Sequence, residues 1–522
     1  MIRTLLGAFV VLALSLGSCL MAQDDPAHID ATKEFLKYWK KSKEESMQVE
    51  AIKTLKGNEC RLAAEELLKL LKHPNGVVQQ TALDILGTYN SLSTYQTWID
   101  ELPKMKDAEM QAILIKVLGR AKLPEALPVI EALANEPKAS QTIKYEAMRA
   151  LPLIGKAGTL GLVPKLLGDG DALVRMAAAD AVGKLKVQGC GPALVGLLDD
   201  AEWQVQTAAV TALSIVRPQD SVQPLIDLMR KTGRLRTECA DALFRITGFD
   251  FGVDPDKWQE QWKNLMAIPG WRIPTDEELA KKAETRRKND EYYGKKTKPT
   301  SFVNIPTTST NVLFIIDVSG SMDDLVVEVE KFASYRDRKK FTIVQTELLN
   351  TIDNLDDSTN FNIVAFASDL NVWKPRLVPG NIVNRDAAKS FVRGLKPLGG
   401  TESQELASAG LGGSANLAAG KTNTLKALLY SFGVDPDKPP KAAVTGADKG
   451  AMKSPLDTVY FLSDGRPSVG KFVDPNEIRK EVRRHNEAYR MVIHTIAIGE
   501  FQKEFLEQLA VENGGVFVDM GR

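Results

Sequence analysis

The chain has 522 residues, which at about 150 residues per domain predicts about three units, or one long array joined to a further domain. Lysine plus arginine and aspartate plus glutamate number 67 each, so the formal net charge is zero and the basic footprint of a nucleic-acid-binding protein is missing. Apolar residues make up 44% and charged residues 26% of the chain, as in ordinary globular proteins.

The N-terminus has the pattern of a secretory signal. Arg3 precedes an apolar run at residues 5–16, and small residues follow. Two positions are possible for the cleavage that ends this signal. The LGSC sequence resembles the lipobox of bacterial lipoproteins and would leave Cys19 as a lipidated N-terminus, whereas ordinary cleavage would follow Ala22. We therefore expect residues 1–22 to direct export to the periplasm, the cell envelope or the extracellular space, with membrane contact only through a lipid on Cys19.

Three cysteines lie beyond the signal, namely Cys60, Cys190 and Cys239. They are far apart, and the sequence contains no CxxC pair. This spacing predicts buried free thiols and argues against a disulfide framework or a zinc site.

The first half of the chain repeats a short helical pattern. Related segments begin at residues 47, 78, 110, 143, 174, 205 and 235, so the period is 30 to 33 residues. Each repeat contains two helical patterns with apolar residues at i, i+3, i+4 and i+7. Neither helix can bury its apolar stripe alone, so neighbouring repeats must stack into a solenoid.

This array resembles HEAT repeats over about residues 28–250. The resemblance implies an α-solenoid, which we expect to end in a cap containing Trp258 and Trp262, four residues apart on one helical face. Such solenoids bind by shape rather than by motif, so an inert spacer and a protein-binding surface are both open readings. We assign residues 28–265 to the solenoid with its cap and the charge-rich residues 266–305 to a linker.

Beyond residue 305, apolar segments alternate with helical segments. The strand candidates are residues 312–316, 361–366, 458–462, 492–498 and 516–518. The helix candidates are residues 341–355, 386–394, 424–432, 475–489 and 502–512. This alternation predicts a doubly wound, Rossmann-like α/β domain at 306–522 with a parallel sheet covered on both faces. Ligands of such sheets bind beyond the carboxyl ends of the strands.

Two of the predicted strands end in an aspartate. IIDVSGSM contains Asp317, and VYFLSDGRP contains Asp464. If the two strands are neighbours, both carboxylates lie at one edge of the sheet, and Ser319 and Ser321 add hydroxyls on a tight loop. These hard oxygen donors suit Mg²⁺, Mn²⁺ or Ca²⁺ rather than a soft metal.

Three sequence segments carry a second resemblance. DVSGSM is similar to the DxSxS motif of von Willebrand factor A-type domains, TNTLKAL resembles their threonine segment, and FLSDGRP resembles their second aspartate segment. The segments occur in family order, and the similarity covers about residues 310–522. It implies a metal-ion-dependent adhesion site that binds a protein partner offering a carboxylate.

The resemblance also implies a role for each site residue. Ser319, Ser321 and Thr422 would lie near the metal, and Asp317 and Asp464 would act largely through water.

One departure from the family leaves the threonine assignment open. The family has Gly-Gly-Thr directly before the threonine helix, but here that sequence ends at Thr401 and an insert at 402–420 follows. We favour Thr422 as the ligand because a predicted helix follows it immediately. A second insert at 433–455 is expected to form a mobile loop near the metal.

Two enzyme hypotheses compete with a binding role. Residues 415–422, ANLAAGKT, nearly match a phosphate-binding P-loop, but Ala415 stands where glycine is required and no strand precedes it. A phosphotransferase built on Asp317 would need a second aspartate two positions later, where Ser319 stands. We therefore predict a non-enzymatic scaffold with the solenoid as a second interaction surface, and keep a metal- or nucleotide-dependent enzyme as the alternative.

Overall fold

A computed structural model describes most of the chain. The described residues are 24–155, 161–231, 233–293, 301–302, 305–306, 308–327, 332–335, 337–399, 420–438, 450–499 and 503–520. The predicted signal, Thr401 and residues 402–419 and 439–449 of the two inserts lie outside these ranges. The chain divides into two compact units, Met1–Lys104 and Met105–Arg522, and this division falls inside the segment predicted as one solenoid.

The described part of the first unit is helical. Its helices are α1 (Pro26–Trp39), α2 (Glu45–Lys53), α3 (Arg61–Leu70), α4 (Gly76–Leu86) and α5 (Leu92–Glu101). Helices α2 and α3 both pack against α4. The packed faces carry the apolar residues of the repeat pattern, such as Ile52, Leu67 and Leu83, all of which are fully buried. Burial of these stripes between neighbouring helices stabilises helices that would be too short to persist alone.

The second unit begins with a longer helical part. Its helices are α6 (Ala108–Arg120), α7 (Leu127–Asn135), α8 (Gln141–Ile154), α9 (Leu162–Leu166), α10 (Ala172–Leu185), α11 (Gly191–Gly196), α12 (Trp203–Val216), α13 (Val222–Met229), α14 (Leu235–Thr247), α15 (Pro255–Met266) and α16 (Asp276–Tyr293). Helices α6, α8, α10, α12 and α14 pack in succession, each against the next. Small residues permit this approach, since a Cβ atom on Gly119 would lie 2.6 Å from the Ala150 Cβ.

The segment predicted as a cap forms α15, and α16 follows it. Trp258 is fully buried, its Nε1 donates to the Gly252 carbonyl oxygen at 2.8 Å, and its ring meets Phe251 edge-on at 4.8 Å. Residues 266–305, predicted as a linker, contain α16. Arg286 of α16 pairs with Asp241 at 3.0 Å and with Asp250 at 2.9 Å, so this charged helix lies against α14 and the loop that follows it.

The rest of the second unit is an α/β part. Its strands are β1 (Ser301–Phe302), β2 (Ile305–Pro306), β3 (Asn311–Asp317), β4 (Asn360–Phe366), β5 (Leu370–Val372), β6 (Val378–Pro379), β7 (Thr458–Ser463), β8 (Val492–Ala497) and β9 (Phe517–Asp519). Its helices are α17 (Lys340–Asp353), α18 (Ile382–Gly394), α19 (Thr424–Tyr430), α20 (Pro475–Tyr489) and α21 (Lys503–Glu512). All five predicted strands and all five predicted helices therefore have counterparts.

The main sheet has the order β5-β4-β3-β7-β8-β9, with β6 also paired to β4. Strands β3, β4, β7, β8 and β9 are parallel, whereas β5 and β6 run antiparallel to β4. The five predicted strands therefore form a parallel sheet, as expected, and β5 and β6 add an antiparallel edge that the sequence did not predict. The chain places β4 on one side of β3 and β7 on the other, so the topological switch point lies between β3 and β7.

Both faces of the sheet are covered. Phe314 and Ile316 of β3 share a core with Ile343 and Val344 of α17. The alternate residues of β3 point to the opposite face and are also buried. A strand buried on both faces needs a nearly continuous apolar sequence, as NVLFIID provides.

The α/β part rests on the helical part at the amino ends of β7 and β8. The Arg234 guanidinium donates to the carbonyl oxygen of Asp457, before β7, at 3.2 Å, and to that of Arg490, before β8. It also lies 4.9 Å from the ring centroid of Trp203 on α12. Nearby, the buried Gln204 side chain donates to the Ala451 carbonyl oxygen at 2.6 Å. These contacts fix the amino edge of the sheet and leave the carboxyl edge at the opposite end.

Two ion pairs extend this contact. Arg149 of α8 pairs with Glu487 of α20, and Asp180 of α10 pairs with Arg490 at the end of α20.

Within the described ranges, none of the helices combines the length and the apolar character needed to cross a membrane. Cys60, Cys190 and Cys239 are buried free thiols, as predicted.

We expect Arg234→Ala to release the α/β part from the helices. The substitution removes the Arg234 donor from the Arg490 carbonyl group and one of two donors from that of Asp457, which also accepts from the Val492 amide. Because residue 234 is only 8% exposed, the free energy of unfolding should fall by about 2–4 kcal/mol. Urea unfolding followed by tryptophan fluorescence measures it.

Arg230→Ala is the matched control, because Arg230 forms a surface pair with Asp256. It should change stability much less. Equal losses from the two substitutions would contradict the role of Arg234.

Candidate metal centre

Asp317 and Asp464 meet at the carboxyl edge of the sheet, as the sequence predicts. Strands β3 and β7 are parallel neighbours, with Ile316 opposite Leu462, so both aspartates emerge side by side. Asp317 is 0% and Asp464 1% exposed. Buried carboxylates need partners, and the surrounding residues supply them.

Serine hydroxyls connect the two strand ends. Ser463 Oγ donates to Asp317 Oδ2 at 2.5 Å, and Ser321 Oγ donates to Asp464 Oδ1 at 2.8 Å. The Ser319 amide donates to Asp317 Oδ1 at 2.8 Å, and the Ser319 hydroxyl lies 3.3 Å from that of Ser321. The four residues predicted from the DVSGSM and FLSDGRP segments are therefore in mutual contact.

The loop after β3 is held in a tight turn. Residues Gly320–Asp323 form a 3₁₀ turn, and the Gly320 amide donates to the Gly420 carbonyl oxygen at 3.0 Å. A Cβ atom on Gly320 would lie 2.6 Å from the Gly399 carbonyl oxygen, so only glycine fits at this position. This close approach presents Ser319 and Ser321 toward the second aspartate.

Thr422 reaches the same place from a third segment. It directly precedes α19, whose N-cap is Asn423. The Thr422 amide donates to Ser468 Oγ at 2.8 Å, and the Ser468 amide donates to the Thr422 carbonyl oxygen at 2.9 Å. This pair of hydrogen bonds ties the threonine segment to the loop after β7. Thr401, the alternative ligand, lies outside the described residues.

Three oxygen atoms converge on the space above Gly465. A Cβ atom built on Gly465 would lie 3.3 Å from Ser321 Oγ, 3.4 Å from Thr422 Oγ1 and 3.9 Å from Asp317 Oδ2. One carboxylate oxygen and two hydroxyls therefore surround a small volume that any side chain at residue 465 would fill. Such hard oxygen donors fit Mg²⁺, Mn²⁺ or Ca²⁺.

The site uses hydroxyl groups where many metal sites use charged ligands. Within the described ranges, no group of three or more histidine, cysteine, aspartate or glutamate side chains is placed to hold a metal ion. His494 lies in β8, where its Nδ1 accepts from the Val516 amide at 3.0 Å and its ring stacks on Tyr460. This histidine therefore contributes to packing and hydrogen bonding within the sheet.

Lys340 belongs to the site and was missed from the sequence. It is the first residue of α17 and is only 6% exposed. Its Nζ lies 2.7 Å from Asp464 Oδ2 and 3.4 Å from the Ser321 carbonyl oxygen. The adjacent Lys339 instead pairs with Asp323 at 2.8 Å. Nothing in the RKK sequence distinguishes the buried lysine from its neighbour.

Burial, and secondarily the charge of Asp464, raises the pKa of Asp317 to about 7. Hydrogen bonds from Ser319 and Ser463 oppose this rise. Between the ordinary aspartate pKa and about 7, the folded chain therefore holds a proton that the unfolded chain has released. Without a cation, this group makes the protein less stable as the pH rises through that window.

Comparison with family models supports the helical part of the fold. A family model described as HEAT repeats matches residues 159–243. Over 213 residues the chain is 28% identical to inter-alpha-trypsin inhibitor heavy chain H4 of Homo sapiens. The aligned segment covers 41% of this chain and 18% of that protein. Heavy chain H1 of Mesocricetus auratus is 27% identical over 213 residues, and the aligned segment again covers 41% of this chain and 18% of that protein. The chain thus spans less than a fifth of the length of these relatives.

Solved structures are also similar to part of this chain. A von Willebrand factor type A protein from Catenulispora acidiphila has a TM-score of 0.27 and 20% identity, covering 41% of this chain and 40% of that one. BatB from Bacteroides thetaiotaomicron has a TM-score of 0.25 and 14% identity, covering 40% of this chain and 89% of that one. Because its sequence motifs resemble those of von Willebrand factor A-type domains, the α/β part described above is hereafter called the A-type domain.

We expect Asp317→Asn to remove one component of the pH dependence. In chelator-treated protein, the stability of the wild type relative to the variant should fall by about 1–3 kcal/mol between about pH 5 and about pH 8, because only the wild type must ionise the Asp317 carboxyl. Urea unfolding of both proteins across this range measures the difference. Parallel stability curves would contradict the raised pKa.

Proposed function

We propose that this chain is a non-enzymatic scaffold that binds a protein partner through a divalent cation at the carboxyl edge of the A-type sheet. The main support is the convergence of Ser321, Thr422 and Asp317 oxygens above Gly465. HEAT arrays present extended surfaces that bind other macromolecules, so the domain combination also favours a role in protein interaction.

The donor set determines what the site would do. Ser319, Ser321 and Thr422 would offer neutral hydroxyl ligands, while Asp317 and Asp464 would hold the ion largely through water. When bound, the cation would supply a Lewis-acidic position, and neutral ligands leave most of its charge available to a carboxylate from a partner. Mg²⁺ is the first candidate, and Mn²⁺ and Ca²⁺ suit the same oxygen ligands.

The helical part would contribute a second interaction surface. Five residues of the helical part already contact the chain's own A-type domain, namely Arg149, Asp180, Trp203, Gln204 and Arg234. The part of α8, α10, α12 and α14 that carries these residues is therefore unsuitable for an external partner. We place the second surface on the remaining faces of the helices.

Export is the cellular setting that the N-terminal sequence favours. Removal of residues 1–18 would leave Cys19 as a lipidated N-terminus, whereas removal of residues 1–22 would release the chain after Ala22. Mass spectrometry of the mature protein tests this. We expect a modified N-terminus at Cys19 or an unmodified one at Gln23, and an intact Met1 in the mature protein would contradict export.

Ser321→Ala should weaken Mg²⁺ binding about tenfold or more. The substitution removes a hydroxyl that faces the proposed ion and the hydrogen bond to Asp464. Asp317→Ala should abolish binding while leaving the helical content unchanged. Isothermal titration of chelator-treated protein with magnesium chloride measures the affinity, and circular dichroism checks the fold.

Ser358→Ala is the matched control, since Ser358 is exposed in the turn before β4, at the opposite edge of the sheet. It should bind Mg²⁺ like the wild type. Absence of binding by the wild type at millimolar magnesium would contradict the proposal. Tight ATP binding with turnover would instead favour the enzyme alternative.

A further inference from the structure

A buried lysine is built into the candidate metal centre. The Lys340 ammonium contacts Asp464 Oδ2 at 2.7 Å, while Asp464 Oδ1 accepts from Ser321 Oγ. Lysine is almost never fully buried in proteins unless it is paired. The contact is thus a specific pair inside the site rather than a surface ion pair that solvent would weaken.

The fold fixes the position of this lysine. The Lys340 amide donates to the Asp324 carbonyl oxygen at 3.0 Å, which places the start of α17 directly beside the loop after β3. Phe341 and Val344 anchor the same helix in the core of the sheet.

The neighbouring strand end borders this pair. A Cβ atom on Gly499 would lie 3.6 Å from Lys340 Nζ and 3.6 Å from Asp464 Cβ, which are ordinary van der Waals distances. The pair is therefore enclosed on this side by the segment after β8.

The charges of the buried groups decide what Lys340 does. Ionised Asp317 and Asp464 together carry two negative charges, the three hydroxyl ligands carry none, and Lys340 contributes one positive charge. The Lys340 ammonium repels a divalent cation in the site strongly, because charges are poorly screened in a buried site. The same ammonium lowers the repulsion between the two carboxylates when no cation is bound.

We propose that Lys340 is the built-in counter-charge of the cation site, an inference that rests on the site proposed above. Its ammonium group stabilises the cation-free edge and limits the affinity for divalent ions. The lysine is a positioning and tuning residue, since it acts on the ion through Asp464 and through its own charge. A protein built this way would bind its cation reversibly instead of retaining it permanently.

Lys340→Met tests the proposal against Lys339→Met. Both substitutions remove one positive charge from adjacent residues, but Lys339 contacts Asp323, which is outside the candidate ligand set. Isothermal titration of the chelator-treated full chain with magnesium chloride should show about tenfold or more tighter binding for Lys340→Met. Lys339→Met should bind like the wild type.

Thermal unfolding provides a second readout. Without a cation, Lys340→Met should unfold at a lower temperature than the wild type, and magnesium should raise its midpoint by more than it raises that of the wild type. If Lys340→Met is unfolded in chelator, millimolar magnesium should restore its fold, and failure to do so would overturn the proposal.

The two hypotheses fail in different ways. Equal magnesium affinity of folded Lys340→Met and the wild type would overturn the role of Lys340 and leave the cation site intact. Absence of magnesium binding by the wild type and by both lysine variants would overturn the cation site itself.

Discussion

Two like charges buried on adjacent strands set the main electrostatic constraint on the A-type domain. Because β3 and β7 are parallel neighbours, Asp317 and Asp464 leave the sheet side by side, away from the water that would screen their repulsion. A main-chain amide, two serine hydroxyls and the Lys340 ammonium compensate for that loss. The loop after β3, the start of α17 and the loop after β7 are all placed by contacts with these two carboxylates.

Glycines make this crowded edge geometrically feasible. Gly320 lets the first loop approach the Gly399 carbonyl group, and Gly465 leaves the space into which the oxygen atoms point. Both positions are set by the close approach of neighbouring atoms and not by turn formation alone. The edge therefore depends as much on side chains that are absent as on the polar groups that are present.

The sequence predicted the parts of this arrangement that local pattern controls. Apolar runs ending in Asp317 and Asp464 indicated two strand ends at one edge, and the helix after Thr422 indicated its approach to them. Strands β5 and β6 were missed because two or three residues are too few to show an alternating pattern. Lys340 and the Arg234 contacts were missed because burial of a charge by segments distant in sequence leaves no local signal.

The position of β7 has a mechanical consequence. At its amino end the Asp457 carbonyl group is held by Arg234 of the helical part, and directly after its carboxyl end Asp464 takes part in the candidate metal centre. Any pull exerted on that centre is therefore transmitted along one central strand, hydrogen-bonded to β3 and β8 on either side, into the stack of repeats. Tension would load the ladder in shear, where many hydrogen bonds resist together. At the amino edge it would pass to the helical part through the Arg234 and Gln204 contacts and the two ion pairs beside them.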